Sequence, residues 1–470
     1  MIVFRRLGWF CIAATAALAV SSPAVAQYSF LGGGDTGRTY SNDYSQGRSG
    51  RREITFGDAM DAFNYGDSQL AARYLWPLAE GGDARAQYYL AYLLDTGQGA
   101  GKDLYAAVKW YEKAAKQHYL PAVAYMGYVY SSGHGVKRDD KEAFRWYTQA
   151  AQMGDAISQN NLATMLRTGR PYRKNPELAA QWFLQAALQG NARSQYNLAV
   201  MYLKGEGAPK NPGEAVRWFT YAAMQGDRYA QSMLAYLYRK GDVVEKNDAQ
   251  ALDWYRRAAE QGYMAAQYNL AVMYEKGLGG SGKDLLDAAI WYFHAAKQGS
   301  PRAQLRLGAM YEKGEGLPQN YDEAMAWYKK AAEKEGDAIA MVAMGRLLEK
   351  KSQKSRKPDD DLRNAVMWYR RAAEAGEGLA QLELGRMYRL GIGVEKNLPM
   401  AYKWYALADN LLKGDLKIRA AMARSQISEV LTPHELSTAR GMVDQWVPRN
   451  PLGMYRGGLD DGYEYEDNSG

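Results

Sequence analysis

Tryptophan recurs along this chain at an almost constant interval. Of its twelve tryptophans, nine lie one repeat apart, with six steps of 36 residues, one of 37 and one of 41; they are Trp110, Trp146, Trp182, Trp218, Trp254, Trp291, Trp327, Trp368 and Trp404. Each belongs to a similar phrase, such as AVRWFTYAA around Trp218. Chance does not produce this spacing, so the chain is built from a repeated unit of about 36 residues.

A second phrase alternates with the tryptophan phrase, and an example is AQYNLAVMY around Leu270. Both phrases carry apolar residues at helical spacing: Trp218, Phe219 and Ala222 share one face, as do Leu270 and Tyr274. Glycine-rich segments separate the phrases, so each unit is predicted to be an antiparallel helix pair. Neither helix can bury its apolar face alone. Stacked neighbours bury it, which predicts an all-α solenoid.

These phrases resemble the Sel-one-like repeat family, a subclass of the tetratricopeptide superfamily. The residues of one unit that match the family pattern are Ala303, Leu307, Gly308, Tyr311, Gly314, Gly316, Ala324, Trp327, Tyr328, Ala331 and Ala332. The resemblance implies a right-handed α-solenoid. With the repeat count, it predicts about nine to ten antiparallel helix pairs and helical caps at both ends.

The rhythm also predicts how the chain is divided. Nine repeats occupy residues 85–413, after a degenerate helix pair at 54–84 that forms an N-terminal cap. Two closing helices at 414–447 follow, the second beginning at Thr432-Pro433, which suit the N-cap and the first helical position. Residues 27–53 and the acidic stretch 448–470 lack an apolar period, so they are predicted to be a disordered linker and tail.

Residues 1–26 predict a secretory signal peptide. Arg5 and Arg6 precede a short apolar run, and the sequence Ala-Val-Ala ends at Ala26, which predicts cleavage before Gln27. The run is too short for a stable membrane span. We therefore expect a periplasmic or secreted protein, delivered by the general secretion route.

Composition then excludes several kinds of chemistry. The only cysteine, Cys11, lies in the signal segment, so the mature chain is expected to have no disulfide and no cysteine-ligated metal. The net charge of +7 is small for 470 residues and carries no clustered basic footprint, so nucleic-acid binding is not expected.

Two motifs resemble catalytic or ligand sites. GLGGSGKD at 277–284 lacks the Ser or Thr that a P-loop needs after its lysine, because Asp284 stands there, and a predicted helix precedes it instead of a strand. HELST has Thr438 where a zinc protease needs its second histidine, and the four histidines of the chain are scattered. The sequence predicts no enzyme, cofactor or metal. Asp284 is predicted to be a helix N-cap in a turn between repeats.

The tryptophans and an insertion admit two interpretations each. Tryptophans could stack on carbohydrate, but their flanking alanines favour packing inside the repeats. The insertion KKSQKSRKPDDDLR, which stretches one step to 41, is interpreted as a solvated loop, with a partner contact as the alternative.

In the resembled superfamily, the first helix of each pair lines a concave face. If that holds here, the groove positions lie two and five residues before and after the central Leu or Met of each first helix. The predicted partner-binding residues are Tyr88, Tyr92, Tyr128, Arg167, Tyr196, Tyr236, Arg239, Tyr268, Arg386 and Arg389, with Glu275, Glu312 and Glu349 among the later groove positions. Tyrosine and arginine are enriched at binding hot spots. The alternative is that the tyrosines are only half-packed helix surface.

The resemblance implies a non-enzymatic scaffold that binds an envelope protein or peptide segment. Exported family members act in cell-envelope regulation, signalling and exopolysaccharide export, so a membrane sensor kinase or an export complex is an expected partner. A second hypothesis is binding of an envelope glycan, either peptidoglycan or exopolysaccharide. Fold alone does not decide between them.

Overall fold

The computed structural model describes residues 53–280, 282–334 and 336–448. The predicted signal peptide lies outside the described residues, as do all but one residue of the predicted linker and all but one residue of the predicted tail. The described residues form helices joined by short loops, and none of them is in a strand. No helix in these ranges is long and apolar enough to cross a membrane.

The chain divides into two compact units, with the boundary between Asn211 and Pro212. The described part of the first unit contains nine helices: α1 (Phe56–Asn64), α2 (Ser68–Glu80), α3 (Ala84–Thr96), α4 (Leu104–Lys116), α5 (Leu120–Ser132), α6 (Asp140–Gln152), α7 (Ala156–Thr168), α8 (Pro176–Leu188) and α9 (Ala192–Lys204).

The described part of the second unit contains thirteen α-helices and a short 3-10 turn at Leu278–Gly280. They are α10 (Pro212–Met224), α11 (Arg228–Lys240), α12 (Asp248–Glu260), α13 (Met264–Lys276), α14 (Leu285–Lys297), α15 (Pro301–Lys313), α16 (Tyr321–Lys334), α17 (Ala338–Ser352), α18 (Pro358–Glu374), α19 (Gly378–Leu390), α20 (Leu398–Leu411), α21 (Gly414–Ser428) and α22 (Pro433–Asp444).

Within each unit, helices pack in sequence order. In the first unit α3 packs against α4, and α4 packs in turn against α5 of the next repeat. In the second unit α13 contacts α14 and α14 contacts α15 in the same way. The odd-numbered helices from α3 to α19 carry the Leu phrase and are called first helices, and the even-numbered helices from α4 to α20 carry the Trp phrase and are called second helices. The predicted all-α fold of antiparallel helix pairs is confirmed.

The loop glycines and Asp or Asn residues set the helix ends. First helices typically end at a glycine in the left-handed conformation, as α13 does at Gly277 with a φ of 68°. In most repeats the next second helix then begins at an Asp or Asn N-cap, whereas α18 has Lys357 at this position. In the GLGGSGKD turn, the Asp284 side chain accepts a hydrogen bond from the Asp287 backbone amide. A helix, α13, precedes this turn, so both predicted features of the segment are confirmed.

The core of each repeat is centred on the aromatic residue that follows the repeated tryptophan. The side chains of Phe183, Phe219, Tyr255, Tyr292 and Tyr369 are all 0% exposed. The tryptophans themselves are half-buried in six repeats and buried in three: Trp327, Trp368 and Trp404. Cationic side chains lie over several of their rings, and Lys113 Nζ is 3.8 Å from the Trp110 centroid. This arrangement supports packing of the tryptophans in preference to carbohydrate stacking.

A buried glutamine links the end of one repeat to the start of the next. Gln267 on α13 donates from Nε2 to the Ala259 carbonyl at the end of α12, at 3.2 Å. Its Oε1 accepts from Gln298 Nε2 at 2.7 Å. The same donation to the preceding helix end is made by Gln87, Gln159, Gln195, Gln231, Gln304 and Gln381. The glutamine three residues before the central Leu of the Leu phrase is therefore structural, a role that sequence reasoning missed.

Gln267→Leu is expected to lower the free energy of unfolding by about 1–3 kcal/mol, because the Ala259 carbonyl would lose its donor inside the core. Urea unfolding followed by circular dichroism measures this loss. Gln250→Leu is the control, because Gln250 is exposed. Equal losses for the two variants would contradict a structural role for the buried glutamine.

The insertion and the last helices complete the second unit. The insertion is divided: α18 reaches 17 residues, against 13 for α14, and its exposed first turn carries Asp359 and Asp360. The five residues before α18, numbered 353–357, form the remaining loop.

At the chain end, α21 and α22 both pack on α20. α22 begins with a capping box between Thr432 and Glu435, so the predicted N-cap is confirmed.

Candidate partner-binding surface

Four of the ten predicted groove residues lie in the core. The exposed fractions are 7% for Tyr88, 6% for Arg167, 2% for Tyr196 and 8% for Tyr268. The expectation that these four side chains line an open surface is therefore wrong. The reason is that a first helix packs on both sides, against its own second helix and against the preceding one, which leaves only a narrow strip uncovered. The ring of Tyr88 packs edge-on against Tyr111 of α4, with centroids 5.4 Å apart.

The other six predicted residues are half-buried, and they lie on four first helices. Tyr92 is on α3, Tyr128 on α5, Tyr236 and Arg239 on α11, and Arg386 and Arg389 on α19. These side chains expose part of their surface while their stems or rings are packed. They therefore form two strips, one in each unit.

One recurrent position of the first helices carries a polar side chain in every repeat except that of Leu203. It is the fifth residue after the central Leu or Met of each first helix, and its occupants are called row residues. They are Asp95, Ser131, Arg167 and Leu203 in the first unit, and Arg239, Glu275, Glu312, Glu349 and Arg389 in the second. The three glutamates and three of the arginines were among the predicted groove positions, whereas the role of Asp95 was missed.

In the second unit, three row glutamates accept hydrogen bonds from the aromatic residue after the tryptophan of the same repeat. The Tyr292 hydroxyl donates to Glu275 at 2.6 Å, and the Tyr328 hydroxyl donates to Glu312 at 3.0 Å. The Tyr369 hydroxyl donates to Glu349 at 2.7 Å. Burial and the neighbouring charge of Glu275 raise the pKa of Tyr292 well above its usual value, so this phenol stays protonated as a donor.

The same glutamates also bind a cation from the following first helix. Arg306 on α15 is paired with Glu275, and Arg386 on α19 is paired with Glu349. Lys350 Nζ lies 3.8 Å from Glu312. Each glutamate therefore joins a tyrosine of its own repeat to a cation of the next repeat. Charge-assisted hydrogen bonds of this kind stabilise a partly buried carboxylate.

Two repeats of the second unit have an arginine where the others have the glutamate. In one of them, no described residue lies within hydrogen-bonding distance of the buried Tyr255 hydroxyl, and Arg239 has no acidic partner in the described part of the chain. Burial raises the pKa of Tyr255, and the charge of Arg239 acts against this rise. In the other, Nε of Arg389 is buried without a hydrogen-bond partner among the described residues.

Tyr292→Phe and Tyr255→Phe are expected to differ in stability although the two side chains occupy equivalent positions. Loss of the hydroxyl from Tyr292 removes a hydrogen bond to a charged acceptor, so the free energy of unfolding should fall by about 1.5–3 kcal/mol. Because the Tyr255 hydroxyl has no acceptor among the described residues, its variant should stay within about 0.5 kcal/mol of the parent chain. Urea unfolding of both variants tests this difference. Equal losses would mean that the Glu275 contact adds nothing to stability.

In the first unit, the Asp95 carboxylate lies within hydrogen-bonding distance of two side chains. The Tyr125 hydroxyl donates to Asp95 Oδ2 at 2.5 Å, and His134 Nε2 lies 2.6 Å from Asp95 Oδ1. Tyr128 packs beside them, with its ring centroid 5.4 Å from Tyr125 and 5.9 Å from His134. These contacts hold the half-buried Tyr128 ring in place. The histidine follows a loop glycine, and only its distance from Asp95 shows that it belongs to this cluster.

Both strips present aromatic and charged side chains that can contact a binding partner. Within the described ranges, no three His, Cys, Asp or Glu side chains are grouped so that they could hold a metal ion. The row residues offer carboxylates and guanidinium groups, and the half-buried Tyr92, Tyr128 and Tyr236 add phenol groups beside them. Repeated polar groups at a fixed spacing suit an extended partner that contacts several repeats at once.

Comparison with known proteins identifies the repeats. The model of the Sel1 repeat matches nine segments, which are residues 84–119, 120–155, 156–191, 192–227, 228–263, 265–300, 301–335, 338–377 and 378–408. No curated protein matches the chain.

Two solved structures extend this result. A protective antigen present in uropathogenic Escherichia coli strains, which displays an SLR fold, is 32% identical. That match covers 83% of this chain and 84% of the antigen, with a TM-score of 0.68. A Sel1 repeat protein from Oxalobacter formigenes is 33% identical over 63% of this chain and 87% of its own, with a TM-score of 0.51. Sel1 repeat proteins are generally protein-interaction scaffolds. Since the matched repeats make up well over half of its length, the chain belongs to the Sel1 repeat family.

Proposed function

We propose that this chain is a non-catalytic scaffold of the cell envelope, and that the strip of first-helix residues in each unit binds an extended protein or peptide segment. The family membership supports a scaffold role, and the predicted signal peptide supports export. Regulation of a membrane sensor kinase, signalling and exopolysaccharide export are the envelope processes in which such a scaffold would act.

One observation carries the proposal: partly exposed tyrosine and arginine side chains are held in fixed positions on the first helices. The ring of Tyr92 packs edge-on against Phe63, with centroids 5.8 Å apart, and Tyr128 is fixed by its neighbours Tyr125 and His134. A partner that binds such residues loses little side-chain entropy on association. Fixed aromatic and arginine side chains are the usual centres of binding energy at interfaces.

The partner-binding experiment compares tyrosines on first helices with exposed tyrosines on second helices. A photo-crosslinking amino acid is placed at Tyr92 or Tyr236 on first helices, and at Tyr105 or Tyr221 on second helices, which are 66% and 48% exposed. After irradiation of living cells, mass spectrometry identifies the crosslinked molecules. The proposal predicts one shared protein at the first-helix positions and its absence at Tyr105 and Tyr221.

A second measurement tests the energetic role of these residues. Tyr92→Ala combined with Tyr236→Ala should weaken binding of the identified protein by a factor of about 30 or more, as expected for two hot-spot residues. Tyr105→Ala combined with Tyr221→Ala should leave it within about twofold. Crosslinks that do not distinguish the two helix faces would overturn the assignment of the surface.

The glycan hypothesis and the location are decided by two further observations. Retention of the purified chain on peptidoglycan sacculi or exopolysaccharide, without any crosslinked protein, would replace the protein partner by a glycan.

The N-terminal sequence of the protein recovered from the periplasm should begin at Gln27. A product that begins at Met1 in the cytoplasm would contradict the envelope location.

A further inference from the structure

Three repeats of the second unit show how this fold holds a carboxylate, because each binds a glutamate side chain of its own. In the repeats of Glu275, Glu312 and Glu349, the row carboxylate accepts from a buried tyrosine hydroxyl and pairs with a cation. This combination occurs three times in the same surroundings. A carboxylate is therefore the group that the tyrosine hydroxyl and its neighbours are arranged to receive.

The repeat of Tyr255 keeps the tyrosine and loses the carboxylate. Tyr255 is 0% exposed, and its hydroxyl has no hydrogen-bond partner among the described residues. A buried hydroxyl without a partner costs free energy, and such groups are rare in folded proteins. Arg239 takes the row position and adds a positive charge that no described acid neutralises.

The surroundings of this position are rich in further donors. Tyr236 lies one turn before Arg239 on α11 and is half-buried. On the following first helix, the ring of Tyr268 packs against Tyr292 with centroids 5.6 Å apart. Burial raises the pKa of the Tyr268 phenol, and the positive charges of Arg302, Arg306 and Arg239 act against this rise. Arg306 is paired with Glu275.

We propose that Arg239 and Tyr255 form a binding site for a carboxylate supplied by the partner segment, either an Asp or Glu side chain or a peptide C-terminus. The site rests on the proposed partner-binding function and names the chemistry of the group that is bound. The Arg239 guanidinium donates two hydrogen bonds to the incoming carboxylate and turns outward as it does so. The Tyr255 hydroxyl then donates to the same group, as Tyr292 does to Glu275.

The charge pattern of the row favours this site over its neighbours. The carboxylates of Glu275, Glu312 and Glu349 are already paired and would repel a further anion. Arg239 stands before them in the row and Arg389 after them. Arginine binds carboxylates through two parallel hydrogen bonds, which gives geometric selectivity as well as charge. An acidic peptide group is therefore expected at Arg239.

The test measures binding of a fluorescent peptide of about twelve residues, built from Gly, Ala and Glu and amidated at its C-terminus. Fluorescence anisotropy compares the parent mature chain with Arg239→Glu, which restores the glutamate found in the other repeats. The variant should bind at least about tenfold more weakly, and its thermal stability should be unchanged or higher because Tyr255 gains an acceptor. Tyr255→Phe should weaken binding by about fivefold with the fold intact.

Two controls separate the site from general charge attraction. Arg371→Glu changes the net charge equally, on an exposed residue of a second helix, and should leave binding within about twofold. A peptide with Gln in place of Glu should not bind when its C-terminus is amidated. With a free C-terminus, its binding would assign the site to peptide C-termini.

Three outcomes would overturn the carboxylate site. The first is equal binding of the Glu peptide by the parent chain and Arg239→Glu, and the second is equal binding of the amidated Gln and Glu peptides by the parent chain. The third is no binding of either the amidated Glu peptide or the Gln peptide with a free C-terminus. The proposed function is judged separately by crosslinking at Tyr236 in cells. If Arg239→Glu keeps that crosslink unchanged, the partner binds without the carboxylate site, and only this inference fails. If the parent chain gives no protein crosslink, the proposed function fails.

Discussion

Replacement of Phe183 by alanine should lower the free energy of unfolding by about 3–5 kcal/mol. Phe183 follows the repeated Trp182 and is 0% exposed, so the whole ring is lost from the centre of its repeat. Ala179 and Ala187, one turn away on the same helix, are also buried, and their side chains are too short to fill the space. The cavity therefore stays largely open.

The effect should extend beyond one repeat. In a stack of helix pairs, each repeat is stabilised mainly by its neighbours, so weakening of one interface also exposes the next. Hydrogen exchange followed by mass spectrometry should show faster exchange in α7 and α8 first, and in α5, α6 and α9 to a smaller degree.

The matched control for Phe183→Ala is Tyr105→Ala, which removes an aromatic ring that is 66% exposed on α4. Its free energy of unfolding should change by less than about 0.5 kcal/mol. Urea unfolding followed by circular dichroism compares the two. A loss below about 1 kcal/mol for Phe183→Ala would mean that the buried aromatic position is not the centre of the repeat core.

Gly207→Val should be at least as damaging, with an expected loss of about 3–5 kcal/mol or failure to fold. Gly207 is the second glycine of the loop after α9, and its φ is +68°. A Cβ atom at this residue would lie 2.1 Å from the carbonyl oxygen of Pro176, at the start of α8. Because the obstructing atom belongs to the backbone, neither loop nor helix can yield without separating two repeats.

Gly190→Val separates the two causes of this loss. Gly190 also has a left-handed backbone, with a φ of +87°, but a Cβ atom there meets nothing within 4 Å. Its variant carries only the conformational strain, about 1–2 kcal/mol. The difference in urea midpoint between Gly207→Val and Gly190→Val measures the close approach of loop and helix. Equal midpoints would show that the backbone conformation alone requires glycine at Gly207.

The repeat architecture could be predicted from the sequence because its signal is periodic. Residues such as Trp218, Leu270 and Asp284 recur at fixed positions, and each has a local consequence: an apolar helix face or a helix cap. Local rules of this kind act within a few residues, so they need no knowledge of the neighbouring repeats. The helix pairs, the GLGGSGKD turn and the N-cap at Thr432 follow from them.

The groove positions were predicted less well, because exposure depends on how helices pack. From the sequence, Tyr88, Tyr196 and Tyr268 have the same predicted role as Tyr92 and Tyr236, yet the first three are buried. The decisive factor is packing of a first helix on two second helices, which covers more of its circumference than a single helix pair would. Burial of one tyrosine and exposure of the next is a property of the stack.

By itself the sequence determined the repeat length, the helix pairs and their ends, because periodicity and capping are local. Only the tertiary structure decided which polar groups meet. It joined Tyr292 to Glu275 across two helices, brought His134 to Asp95 over an interval of 39 residues, and left Tyr255 without an acceptor among the described residues. Hydrogen bonds require separations near 3 Å, and that condition is met or missed only when the repeats are stacked.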